Sequence, residues 1–176
     1  MKIGIVISSV RPTRVGHHVA DWVAEHAPEG VETEIVDLRE LDLPHFQDAE
    51  KPSAGNYTEP TTIAWAQQVS GYDALITTLP EYNGGYPAPL KNAIDTLYAE
   101  WNDLPIGVVG YGWHGAARSA KAFAMVLDTV KAARVDGPAL TFETHLSPSG
   151  EILDDAPVAE LEDLYATLRE KASVSA

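Results

Sequence analysis

The 176-residue chain contains no cysteine. That absence removes disulfides, thiol nucleophiles and thiolate metal sites together. Positive charge is also scarce: 12 Lys and Arg stand against 26 Asp and Glu, a formal charge of -14. Such a chain repels phosphate backbones and anionic lipid, so neither nucleic acid nor a membrane is an expected partner. No run reaches the roughly 20 apolar residues of a membrane span, and none has the charged start, apolar middle and small-residue site of a signal peptide. A cytoplasmic protein is expected. Two catalytic motifs, "GxSxG" and "HExxH", are missing too, and the loop after the first strand is neither "GxxxxGK[ST]" nor "GxGxxG". Of the six histidines, His17 and His18 are adjacent and no histidine-carboxylate cluster appears, so no metal site is expected. Asp154 and Asp155 read as solvated acids in a loop.

What is present is ordinary apolar content, 45%, in a chain long enough for one domain over residues 1–176. Short β-branched or apolar runs at 1–7, 31–38, 74–79, 104–110 and 139–142 read as strands. Between them, helical spacing appears from Val15 to His26, over 61–70, over 88–98 and over about 116–134, the last with Phe123, Leu127 and Val130 inward. A final helix follows Pro157 and places Val158, Leu161, Leu164, Tyr165 and Leu168 on one stripe. Trp22 and Trp65 also fall on helical stripes, as core or interface residues.

Five strands alternating with five helices predict an α/β three-layer sandwich with a parallel sheet, in the flavodoxin-like order 2-1-3-4-5. Ligands on such sheets bind beyond the carboxyl ends of the strands, where strand order reverses. The irregular stretch 39–60 is long enough to be a covering loop.

That rule selects three loops. The first, "SSVRPTRVG" (8–16), offers the hydroxyls of Ser8, Ser9 and Thr13, the cations Arg11 and Arg14, and a helix start, a set suited to phosphate. In the second, "PEYNGGYPAPLKNAID" (80–95), Gly84 and Gly85 open unusual backbone conformations while Pro80, Pro87 and Pro89 stiffen the path. A rigid loop with exposed amides suits a flat heteroaromatic ring, with Tyr82 or Tyr86 lining one side. The third, "GYGWHGAARSA" (110–120), surrounds Tyr111, Trp113 and His114 with glycines. Its aromatics could flank a ligand, fill the core or meet another subunit.

These three stretches, with "GNY" and "TTIAWAQQV" between the first two, resemble the NAD(P)H-dependent FMN reductase family, which includes quinone and azo-dye reductases. The likeness runs from Ile3 to about Val135. It implies non-covalent FMN, with Ser9, Arg11, Arg14, Val15 and Gly16 around the phosphate. It implies that Pro80, Glu81, Tyr82 and Asn83 meet the isoalloxazine, approached also by Gly112 and Trp113. It further implies hydride transfer from NADPH or NADH through FMN to a small acceptor such as a quinone, azo compound or flavin. No catalytic side chain is expected, since the hydride chemistry sits on the flavin, although His114 is a candidate proton donor. A homodimer or homotetramer is implied as well, with Glu81 and the 39–60 loop near a subunit contact. Ser8, Val10 and Thr13 depart from the residues usual in the first loop, and Trp113 and His114 stand where glycines are common. Two rival readings are a flavodoxin-type electron carrier docking to redox proteins, favoured by the acidity, and a flavin-free regulatory domain.

Overall fold

The computed structural model describes residues 1–153 and 156–175; Asp154 and Asp155 lie outside them. Strands β1 (Lys2–Ile7), β2 (Glu32–Asp37), β3 (Ala74–Leu79), β4 (Pro105–Gly112) and β5 (Ala133–Thr141) form one parallel sheet. Its order is β2-β1-β3-β4-β5, as the alternation predicts. The central strand β3 is buried along its whole length, the requirement of a strand covered on both faces.

Period-two alternation divides the core. Ile3, Ile5 and Ile7 point to the face carrying helices α1 (Gly16–Glu25) and α6 (Val158–Ser175), where Trp22, Val23, Leu161 and Leu164 meet them. Val6 and Leu75 point to the other face, against α3 (Pro60–Val69), α4 (Ala88–Asp95) and α5 (Ala117–Thr129). Trp22 and Trp65, expected as core or interface residues, are both in the core, and Trp101 joins them there. Trp65 donates from Nε1 to Ala93 O at 3.0 Å, and Trp101 to Ile94 O at 2.9 Å, so each indole is buried with its polar edge satisfied.

Four boundaries differ clearly from expectation. The helix expected to about residue 134 stops at Thr129, and β5 begins at Ala133, well before 139. The segment Asp136, Gly137 and Pro138 carries turn chemistry, but here it makes a register shift against β4 between Val108 and Gly110. An edge strand tolerates proline at such an irregularity. β4 continues to Gly112 because Tyr111 and Gly112 keep pairing with Leu140 and Thr141. Finally, α4 ends at Asp95, and a 3-10 turn over Ala99–Trp101 follows.

The 39–60 stretch is not one plain loop. It holds a short sixth helix, α2 (Leu38–Leu41), and a 3-10 turn at Pro52–Ala54. Several hydrogen bonds tie it down. Asn92 on α4 donates to Pro44 O at 2.9 Å, and Asp48 Oδ1 accepts from Thr58 N, Thr58 Oγ1 and Glu59 N at 2.7–3.0 Å. These bonds, the Thr58 amide first, hold the Asp48 carboxyl at about 2, well below its ordinary range.

Candidate functional site

The loops after β1, β3 and β4 meet at the carboxyl edge of the sheet around a cleft of about 540 Å³. Small-molecule pockets commonly fall between roughly 300 and 1,000 Å³. Its wall includes Ser9, Arg11, Arg14, Val15, Pro80, Glu81, Tyr82, Gly112 and Trp113. Of the residues that the resemblance sets around FMN, Gly16 and Asn83 do not line it, and of the two candidate tyrosines Tyr82 does while Tyr86 packs inward on Phe123, 5.3 Å between ring centroids.

Each exception has a structural explanation. Gly16 opens α1 beneath the cleft floor, where an added Cβ would lie 2.7 Å from the Tyr111 hydroxyl. Its missing side chain lets Tyr111 reach under the first loop. Asn83 and Gly84 have φ of 51° and 82° and join a two-bond bridge, Tyr82 N to Gly85 O at 2.8 Å and Gly85 N to Tyr82 O at 3.0 Å. This is a two-residue hairpin turn with both central residues left-handed, the conformation for which Asn-Gly is favoured. Asn83 therefore sits at the exposed tip, and the turn presents Glu81 and Tyr82 to the cleft.

The loops are stitched together by side chains. Ser9 Oγ hydrogen-bonds the Tyr82 hydroxyl, joining the first loop to the second. Ser8 points inward instead, donating to Thr78 O at 2.6 Å across β1 and β3. Glu81 Oε2 accepts from Arg118 N at 3.2 Å in the first turn of α5. That helix starts after Ala116, a left-handed residue with no side-chain cap, so the carboxylate from the second loop supplies the missing acceptor. Phe142, just past β5, donates its N–H to Gly112 O at 3.2 Å and meets the Trp113 ring edge-on at 5.3 Å between centroids.

The electrostatics separate the two arginines of the first loop. Arg14 is paired with Asp37 at the end of β2, whereas Arg11 is exposed and forms no salt bridge among the described residues. Burial pushes the Tyr111 hydroxyl far above the ordinary phenol range, with nearby Tyr82 adding to the shift, so the cleft floor carries a neutral hydroxyl. His17, behind the first loop, is held below the usual imidazole value by burial and then by the charge of His18.

This donor set suits a phosphorylated planar ligand. Arg11 is an exposed guanidinium next to the start of α1, where the Val15 N-cap makes no side-chain cap. Gly112, with φ of 126°, has no atom within 4 Å of where a Cβ would stand, leaving its backbone open on the cleft side. Comparison with known proteins gives the same direction. Residues 1–146 match the model of the NADPH-dependent FMN reductase family. The chain belongs to this family.

An NAD(P)H-dependent FMN reductase of Saccharomyces cerevisiae is 34% identical over 164 residues, covering 86% of each chain. A second, from Schizosaccharomyces pombe, is 38% identical over 134 residues, covering 74% of this chain and 67% of its own. Among solved structures, the flavoenzyme NAD(P)H:(acceptor) oxidoreductase of Paracoccus denitrificans shares the fold with a TM-score of 0.71 at 21% identity, covering 98% and 95% of the two chains. Within this family fold the cleft also takes in Thr13, Tyr111, His114, Ala116, Phe142 and Pro148. Phe142 and Pro148 were not singled out in the sequence; the signal available was their place just beyond the last strand, on the same sheet edge as the three loops.

Proposed function

We propose that the protein is an FMN-dependent NAD(P)H oxidoreductase that passes two electrons to a small acceptor such as a quinone, an azo compound or a flavin. The carrying observation is the convergence of three loops on one cleft in which Arg11, a cation with no salt bridge among the described residues, stands beside an uncapped helix start. Relatives are named quinone reductases in Pseudomonas putida and a 2-hydroxy-1,4-benzoquinone reductase in a Burkholderia species, which supports a small aromatic acceptor here. FMN, when bound, supplies the redox chemistry between nicotinamide and acceptor.

The chain's own groups bind and orient. Arg11 and the first amides of α1 hold the phosphate end. Backbone groups of Pro80, Glu81 and Tyr82 meet the ring, and Gly112 allows close approach from the other side. Trp113 and His114 stand at the exposed rim, where they contact the acceptor. We place the protein in the cytoplasm, as a homo-oligomer; among the described residues no helix is long and apolar enough to cross a membrane.

A carrier of the flavodoxin type is the competing reading, favoured by the charge of -14. Turnover of NAD(P)H with a quinone and no protein partner separates the two, and a protein without flavin absorbance sinks both. Within the enzyme reading, no single side chain should be indispensable, since acceptor protons can come from solvent. His114→Ala, saturated with FMN, is expected to retain both half-reactions within a few-fold. A loss of about 10²–10⁴ confined to the quinone half-reaction would make His114 a general acid instead.

A further inference from the structure

Arg14 has the composition of a phosphate ligand and the surroundings of something else. Its side chain is 12% exposed and that of Asp37 11%. Nη1 donates to Asp37 Oδ1 at 2.7 Å and to Ser9 O at 2.9 Å, and Nη2 donates to Asp37 Oδ2. The fork is therefore engaged on both terminal nitrogens, in the bidentate geometry that matches guanidinium to carboxylate. A cation held this close to a carboxylate presents little net charge to a third group, because the two fields nearly cancel beyond the length of the pair. What the pair does hold is the backbone. Ser9 follows β1, Asp37 ends β2, and Arg14 precedes α1, so one side chain ties the two ends of the first loop together and to the end of β2, next to the β1–β3 boundary where strand order reverses.

We infer that Arg14 is a positioning residue that acts through Asp37, and that charge recognition of a phosphate at this cleft falls to Arg11. This rests on the flavin reading of the cleft. Asp37 thereby enters the binding machinery, though it lines no part of the cleft wall.

The two roles for Arg14 predict opposite signs for one substitution. Asp37→Asn keeps an oxygen to accept the Arg39 amide, which Asp37 now does at 2.9 Å, but removes the charge that holds Arg14. If Arg14 positions the loop, FMN binding by fluorescence quenching weakens about tenfold, as it does for Arg14→Ala, and the double variant is no worse than either single one. If Arg14 is itself a phosphate ligand, freeing it from Asp37 leaves FMN affinity unchanged or raises it, and that result overturns the inference. Should Asp37→Asn fail to fold, Asp37→Glu keeps the charge and displaces the carboxylate by one methylene. Weaker binding then supports positioning, and unchanged binding overturns it. Amide hydrogen exchange of residues 9–16 without flavin gives a reading independent of the cofactor. Faster exchange in both Arg14→Ala and Asp37→Asn is expected, and wild-type rates in either would reject the role. Wild-type protein that quenches no FMN fluorescence while both variants still accelerate exchange would count against the flavin reading alone.

Discussion

Two arginines three positions apart meet different surroundings in one loop, and their substitutions should separate accordingly. Arg11→Ala removes the exposed guanidinium of the cleft and should cost FMN binding roughly 1.5–3 kcal/mol, the usual worth of a charge-assisted hydrogen bond. Lys91→Ala, which breaks only an exposed pair with Asp95 on α4, should leave it unchanged; flavin titration of the two variants checks the contrast. Ser9 and Arg11 were legible in the sequence because residue type and place after a strand suffice to mark them. Asp37 was not. Its meaning depends on β2 lying beside β1 with Ile7 opposite Asp37, a register that no local pattern around residue 37 reveals. Ser8 shows the converse. It looked interchangeable with Ser9, yet the alternation of a strand turns one hydroxyl to the interior and the next to the cleft.

At the scale of elements, the hairpin within the second loop carries the most local constraint. Gly84 has φ of 82°, and a Cβ there would approach only Arg118 Cδ, at 3.8 Å. Space is available, but the backbone conformation is not one a β-branched residue adopts. Gly84→Val should therefore lower stability by about 1–3 kcal/mol and weaken FMN binding as Tyr82 and Glu81 shift. An unchanged melting temperature together with an unchanged titration would contradict this. The rigidity of the loop is legible in its glycines and prolines; Asn83-Gly84 also carries the signal of a two-residue turn, and the bridge between Tyr82 and Gly85 shows that the turn forms. The fifth strand starts earlier than the local pattern predicts. Asp-Gly-Pro is strong turn chemistry in isolation, and only pairing with β4 on one side makes it an edge-strand irregularity.

For the molecule as a whole, the strand order was legible from alternation alone, since right-handed crossovers leave few ways to cover both faces of a five-stranded parallel sheet. Stability toward acid is another whole-chain property, and Asp48 gives it a local handle. Its carboxyl sits at about 2 in the folded protein against an ordinary 3.8, so the unfolded chain binds the proton first. The stabilisation it contributes is complete above the ordinary value and disappears as pH falls from about 4 toward 2. Urea midpoints of wild type and Asp48→Asn should differ at neutral pH and converge by pH 2, whereas a constant gap would exclude the linkage. A last consequence is optical. Of four tryptophans, Trp22, Trp65 and Trp101 are each at most 4% exposed, while Trp113 at the cleft rim is 58% exposed. Emission from the three interior indoles should be blue-shifted and shielded from acrylamide, leaving a red-shifted, quenchable component from Trp113. Flavin or quinone entering the cleft should extinguish that component preferentially, and Trp113→Phe should abolish it, so the protein carries its own lamp at the mouth of its site.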